Sequence, residues 1–65
     1  MNVLVNGEAV ACAAETLPAL LQELDYEGDW LATAVNGELV PREAREACRL
    51  NEGDRIEILS PMQGG

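Results

Sequence analysis

The sequence predicts an α+β fold in which a mixed sheet of four to five strands packs on a single helix. Three observations carry that expectation: short apolar runs are twice broken by Asn-Gly, one leucine stripe has helical spacing, and residues 55–59 alternate before the last residues of the chain. Asn-Gly between apolar runs is a strong hairpin signal, because a two-residue type I′ turn needs positive φ at both central positions. A stripe at i, i+3, i+4 and i+7 gives a helix one apolar face, and that face must be buried against something flat.

Residues 2–12 form the first hairpin, with Asn6-Gly7 at its turn. Val3 and Val5 then share one face with Met1, and Leu4 points to the other. Thr16 is placed to cap a helix, followed by Leu17-Pro18 where a missing amide proton costs little. Leu17, Leu20, Leu21 and Leu24 supply the stripe, and the helix is expected to end between Asp25 and Gly28, with Gly28 taking a left-handed cap. Residues 31–40 repeat the hairpin device around Asn36-Gly37, so that Val-Asn-Gly-Glu occurs twice, at 5–8 and 35–38. Two copies are too few for a repeat array, and reuse of one turn chemistry is the plainer reading. Pro41 ends the fourth strand, residues 42–48 make a polar connection with room for one helical turn, and Asn51-Glu52-Gly53-Asp54 turns the chain into the final strand. There Ile56 and Ile58 face inward. One helix between two hairpin-like halves is laid most economically across a mixed sheet, the ubiquitin-like β-grasp arrangement, in which the last strand sits centrally beside the first. The organisation expected is a domain over 1–60 and a flexible C-terminal tail over 61–65.

Composition excludes most chemistry. With 65 residues the chain is one small domain, near the lower limit for a core without staples. His is absent, which removes the commonest general base and metal ligand together. Lys is absent as well, and with it Schiff-base chemistry. No metal site is expected, because Cys12 and Cys48 stand alone and cannot close a zinc site without further ligands. The two thiols are expected to be structural and reduced. Met1 leads straight into a strand-like run with neither a basic region nor a long apolar stretch, so a cytoplasmic setting is expected. Twelve acidic residues against four arginines give a net charge of −8, which disfavours nucleic acid and anionic membranes and favours a basic protein surface as partner. A monomer is expected when the chain is free.

The terminal pair Gly64-Gly65 is the most specific feature. A C-terminal glycine presents an α-carboxylate with no Cβ beside it, on its own residue or the one before, so such a tail can thread a narrow channel. Pro61, Met62, Gln63, Gly64 and Gly65 together reach about 16 Å at about 3.3 Å per residue. A frayed end or linker remnant is the bland alternative. Leu4 and Leu59 fall on the sheet face opposite the helix, with Met62 just beyond, and form a candidate docking surface for a partner.

The chain as a whole resembles the ThiS-type sulfur carriers of thiamine biosynthesis. The resemblance rests on Val35-Asn36-Gly37-Glu38-Leu39-Val40-Pro41-Arg42, on Leu50-Asn51-Glu52-Gly53-Asp54-Arg55-Ile56-Glu57-Ile58, and on the closing Pro61-Met62-Gln63-Gly64-Gly65. It implies that the chain is a carrier and not an enzyme. An E1-like activating enzyme, using ATP and Mg, would adenylate the Gly65 carboxylate; a sulfur donor such as a cysteine desulfurase would convert it to a thiocarboxylate; a thiazole synthase would then take the sulfur. No cofactor is expected on this chain. The small subunit of molybdopterin synthase shares the fold and the Gly-Gly end, although such chains are usually longer and richer in Phe near the tail, and Phe is absent here. A sulfur carrier of another pathway and a non-covalent β-grasp binding module are the remaining alternatives.

Overall fold

A computed structural model describes residues 1–26 and 31–60. Five strands form one sheet in the order β2-β1-β5-β3-β4, with β1 at Asn2–Val5, β2 at Glu8–Ala11, β3 at Ala32–Val35, β4 at Glu38–Val40 and β5 at Arg55–Leu59. The last strand is central, parallel to β1 and antiparallel to β3. Two antiparallel hairpins therefore flank it.

The hairpin turns are of the expected type. Asn6 and Gly7 have φ of 51° and 87°, and Asn36 and Gly37 have 53° and 84°. Both asparagines do more than turn the chain. Asn6 Nδ2 donates to the Ile58 carbonyl (3.1 Å), and Ile58 N–H donates to Asn6 Oδ1 (2.9 Å). Arg55 N–H donates to Asn36 Oδ1 (2.9 Å), and Asn36 Nδ2 donates to Asp54 Oδ1 (3.0 Å). A carboxamide carries a donor and an acceptor like a peptide unit, so each turn lengthens the hydrogen-bonded flank of β5 by one side chain. Asn6 thus takes both backbone groups of Ile58, whereas Asn36 takes one backbone group of β5 and the side chain of Asp54 beside it.

Helix α1 spans Leu17–Glu23, with Thr16 in extended geometry as N-cap and its hydroxyl accepting from Ala19 N–H. Leu17 and Leu20 are fully buried, Leu21 nearly so, and Leu24 is half-buried at the C-cap. The helix stops short of the expected Gly28, which lies outside the described residues. Its left-handed residue is Asp25, at φ 65°. Asp25 N–H donates to the Gln22 carbonyl (3.1 Å) and Tyr26 N–H to the Leu21 carbonyl (2.9 Å), the paired bonds of a Schellman motif. Asp is tolerated there because its short polar side chain accepts the left-handed region better than most.

The polar connection is a 3-10 helix at Arg42–Ala47. It carries Arg45, which is buried and donates from Nη2 to the Leu31 carbonyl and from Nε to Thr33 Oγ1 (3.2 Å). Thr33 is fully buried and passes its own proton to the Val40 carbonyl (2.9 Å). That chain of bonds ties the 3-10 helix to both strands of the second hairpin. The core between sheet and helix is built from Val3, Val5, Ile56, Ile58 and the helix leucines, closed by Leu31 and Leu50.

Candidate functional site

Alternation along β5 buries Ile56 and Ile58 and turns Arg55, Glu57 and Leu59 outward. Leu59 is 68% exposed. The register places it opposite Ala32 on β3, while Leu39 on β4 stands opposite Ala34. Leu39 is 74% exposed. Small residues between two large ones leave a groove, and here it measures about 190 Å³, with Ala32, Ala34, Leu39 and Leu59 as its apolar lining and Glu57 and Asn6 at its polar side. It lies over the end of β5, directly before Ser60.

The docking residues read from the sequence do not all meet. Leu4 is on the expected outer face, but it pairs with Arg55, four residues before Leu59 on β5. At 37% it is only marginally exposed, and it lies in a separate depression beside Gly7, Gly37 and Glu57. The exposed apolar patch is therefore centred on Leu59 and Leu39, and Leu39 is not among the residues read from the sequence. The period-two pattern through the Asn36-Gly37 turn sets Leu39 across from Ala34, so the hairpin signal already held that placement. Met62 lies outside the described residues, as do Pro61, Gln63, Gly64 and Gly65.

The two thiols differ in setting. Cys12 is buried and its Sγ lies 3.8 Å from the Ala14 carbonyl. Cys48 is half-buried and caps the 3-10 helix. Burial pushes its thiol pKa up, and the nearby Asp54 carboxylate pushes it further the same way. A protonated thiol is a poor nucleophile, so Cys48 is badly suited to relaying sulfur. Neither cysteine is in a disulfide. Among the described residues no cluster of three or more Cys, Asp or Glu is gathered to hold a metal ion. No described helix is long and apolar enough to cross a membrane.

Charged groups on the body differ in what they hold. Arg49 meets Glu15 at 3.6 Å, with both side chains more than 70% exposed, and such a pair contributes little. Glu23 is an exception, since its carboxylate accepts from Ala13 and Ala14 N–H and holds the loop before α1. Asp54 is another, being buried and accepting from Asn51 N–H (2.8 Å) as well as from Asn36.

The ThiS family model matches residues 2–65. The sulfur carrier protein ThiS of Escherichia coli is 36% identical over the whole of both chains. A thiazole synthase of Paramagnetospirillum magneticum is 35% identical over all of this chain and 20% of its own length. In three dimensions the chain is similar to a crystal structure of thiamine biosynthesis protein ThiS from Geobacter metallireducens, with a TM-score of 0.83, 35% identity and full coverage of both.

Proposed function

The chain belongs to the ThiS family, the sulfur carriers of thiamine biosynthesis, and from that membership we propose where the sulfur is held: on the C-terminal carboxylate of Gly65. The protein is a carrier and not itself a catalyst. The observation that carries the proposal is a family match running through residue 65, terminal Gly64-Gly65 included.

The carboxylate is a poor electrophile until its oxygen is made a leaving group. In the first step a Gly65 oxygen attacks the α-phosphate of ATP and pyrophosphate departs, leaving an acyl adenylate. In the second, the terminal sulfur of a persulfide donor attacks the acyl carbon and AMP departs with the oxygen, giving an acyl disulfide. A second thiol of the partner then attacks the donor's own sulfur, the S–S bond to the carried sulfur breaks, and the partner is left with a new disulfide. A thiocarboxylate remains. An E1-like enzyme supplies the nucleotide, the Mg and the cationic groups for the phosphates, since this chain has neither Lys nor His to offer. A cysteine desulfurase is the donor class that fits. The relative named thiazole synthase supports a thiazole synthase as the acceptor of the sulfur. All of these steps belong in the cytoplasm, where both thiols stay reduced.

The body serves as a grip. The Leu39 and Leu59 groove gives a partner apolar surface directly before the tail, and the surrounding acidity favours a basic rim on that partner. Gly64 gives the clearance for threading, and Pro61, Met62 and Gln63 span the distance to the grip.

The test is intact mass after incubation with ATP, an activating enzyme and a persulfide donor. Replacement of one oxygen by sulfur, abolished by deleting Gly65 and reversed on adding thiazole synthase with its substrates, is the expected result. An unchanged mass with a competent partner would refute the proposal.

A further inference from the structure

We propose that Asn6 is a positioning residue for this loading, its side chain fixing the point at which the tail leaves the sheet. The inference rests on the reading of Gly65 as the loaded residue. It begins from an asymmetry in β5. On the β3 side the strand is paired through its last residues, Ile58 to Thr33 and Leu59 to Ala32. On the β1 side strand pairing ends at Val5 with Ile56, because the chain turns away at Asn6-Gly7.

The Asn6 carboxamide fills that gap, engaging both the N–H and the C=O of Ile58. Without it the last residue held from both sides is Ile56, and the three strand residues beyond it, Glu57, Ile58 and Leu59, are held from the β3 side only. Gly65 lies seven residues beyond Ile58, so each residue released there lengthens the leash and adds freedom that must be removed when the carboxylate reaches the nucleotide.

Turn geometry alone does not require Asn at this position. Gly and Asp also suit the first central residue of a type I′ turn. Gly has no side chain to bond Ile58. Ionised Asp accepts from the Ile58 N–H but has no proton for its carbonyl. Only the amide satisfies both. The second copy of the tetrapeptide provides a control, because Asn36 has the same turn conformation and its carboxamide accepts from the Arg55 N–H and donates to the Asp54 carboxylate, at the end of β5 remote from the tail.

The experiment compares Asn6→Gly, Asn6→Asp and Asn36→Gly with the unchanged chain, at a temperature where all are folded. Two quantities are read: exchange of the Ile58 amide, and KM and kcat for ATP-dependent activation with the carrier as varied substrate. Releasing an ordered backbone residue adds freedom that docking must remove, so Asn6→Gly should raise KM about fivefold, which is about 1 kcal/mol at 1.4 kcal/mol per decade. Its kcat should stay within about twofold and its Ile58 amide should exchange faster, with Asn6→Asp following in both. Asn36→Gly should lose comparable stability and keep the original KM. An equal rise in KM for Asn36→Gly would reduce Asn6 to a general stabiliser and overturn the inference, as would an unchanged KM in Asn6→Gly. If the unchanged chain takes no sulfur from a competent partner, the Gly65 reading falls instead, and an Ile58 amide equally protected in Asn6→Gly would dispose of the clamp separately.

Discussion

Replacing Leu59 by Glu separates the grip from the fold. Leu59 is 68% exposed in the free protein, so its side chain contributes little to folding, and a change at such a surface position moves stability by about 0.5 kcal/mol or less. For a domain of this size that is a melting shift of roughly 2–4 °C. Binding is another matter. Burying a wholly exposed leucine is worth about 1.5–3 kcal/mol, and the two-thirds still exposed is worth about 1–2 kcal/mol, or roughly five- to thirtyfold in affinity. Glu adds the cost of desolvating a carboxylate two residues from Glu57 on the same face, which places the expected loss at the upper end. The assay is pyrophosphate release at limiting activating enzyme, with the carrier varied. KM should rise at least about tenfold in Leu59→Glu, and similarly in Leu39→Glu, while the far-ultraviolet spectrum and the melting point stay close to the original. A Leu4→Glu variant, in its separate depression, should show a smaller effect. Unchanged KM in both Leu59→Glu and Leu39→Glu would show that the groove is not the grip.

Asp25→Gly removes a left-handed non-glycine residue and a negative charge from the C-terminal end of α1, and should raise stability in urea by about 0.5–1 kcal/mol; a lower midpoint would mean that the Asp25 side chain has a structural role beyond the cap. Cys48 gives a pH signature. Its folded pKa is raised, so the proton is held more tightly in the native state, and the stability this confers is full below the ordinary thiol value, near ~8.5, and is lost as pH rises through the raised one. Urea midpoints should therefore fall more steeply above about pH 8.5 in the original protein than in Cys48→Ala; parallel curves would refute the assigned shift.

What was legible in the sequence was whatever depends on a few consecutive residues. Asn6-Gly7 and Asn36-Gly37 specify their turns because two successive positive φ values admit almost nothing else, and Thr16 caps because its hydroxyl meets an amide three residues on. The helix end was local too and was still misplaced, since glycine preference pointed to Gly28 while the Leu21 and Gln22 carbonyls were already satisfied by Tyr26 and Asp25. Long-range pairings left no such trace. Arg45 looks like one more charge in a polar connection, and its partners, the Leu31 carbonyl just before β3 and the Thr33 hydroxyl on it, lie 14 and 12 positions away. Leu4 and Leu59 share a face by alternation, yet only the β1 to β5 register shows that they stand at opposite ends of the strand. The second function of the two asparagines was hidden for the same reason, because their partners on β5 lie 52 and 19 positions along the chain.

The central position of β5 bears on the proposed docking of this chain to its partners. A tail hung from an edge strand would transmit any pull to one ladder, and edge ladders are the first to open. Here the residues before the tail are bonded to β3 on one side and to Asn6 on the other, and their inward side chains Ile56 and Ile58 are almost wholly buried. The outward side chain of the same segment is Leu59, at the edge of the groove. Grip and anchor therefore fall on adjacent residues of one strand. Under the proposed function, a partner that covers Leu59 holds the chain two residues before Pro61 and six before the Gly65 carboxylate. That arrangement supplies position without any catalytic group, as a chain lacking both His and Lys requires.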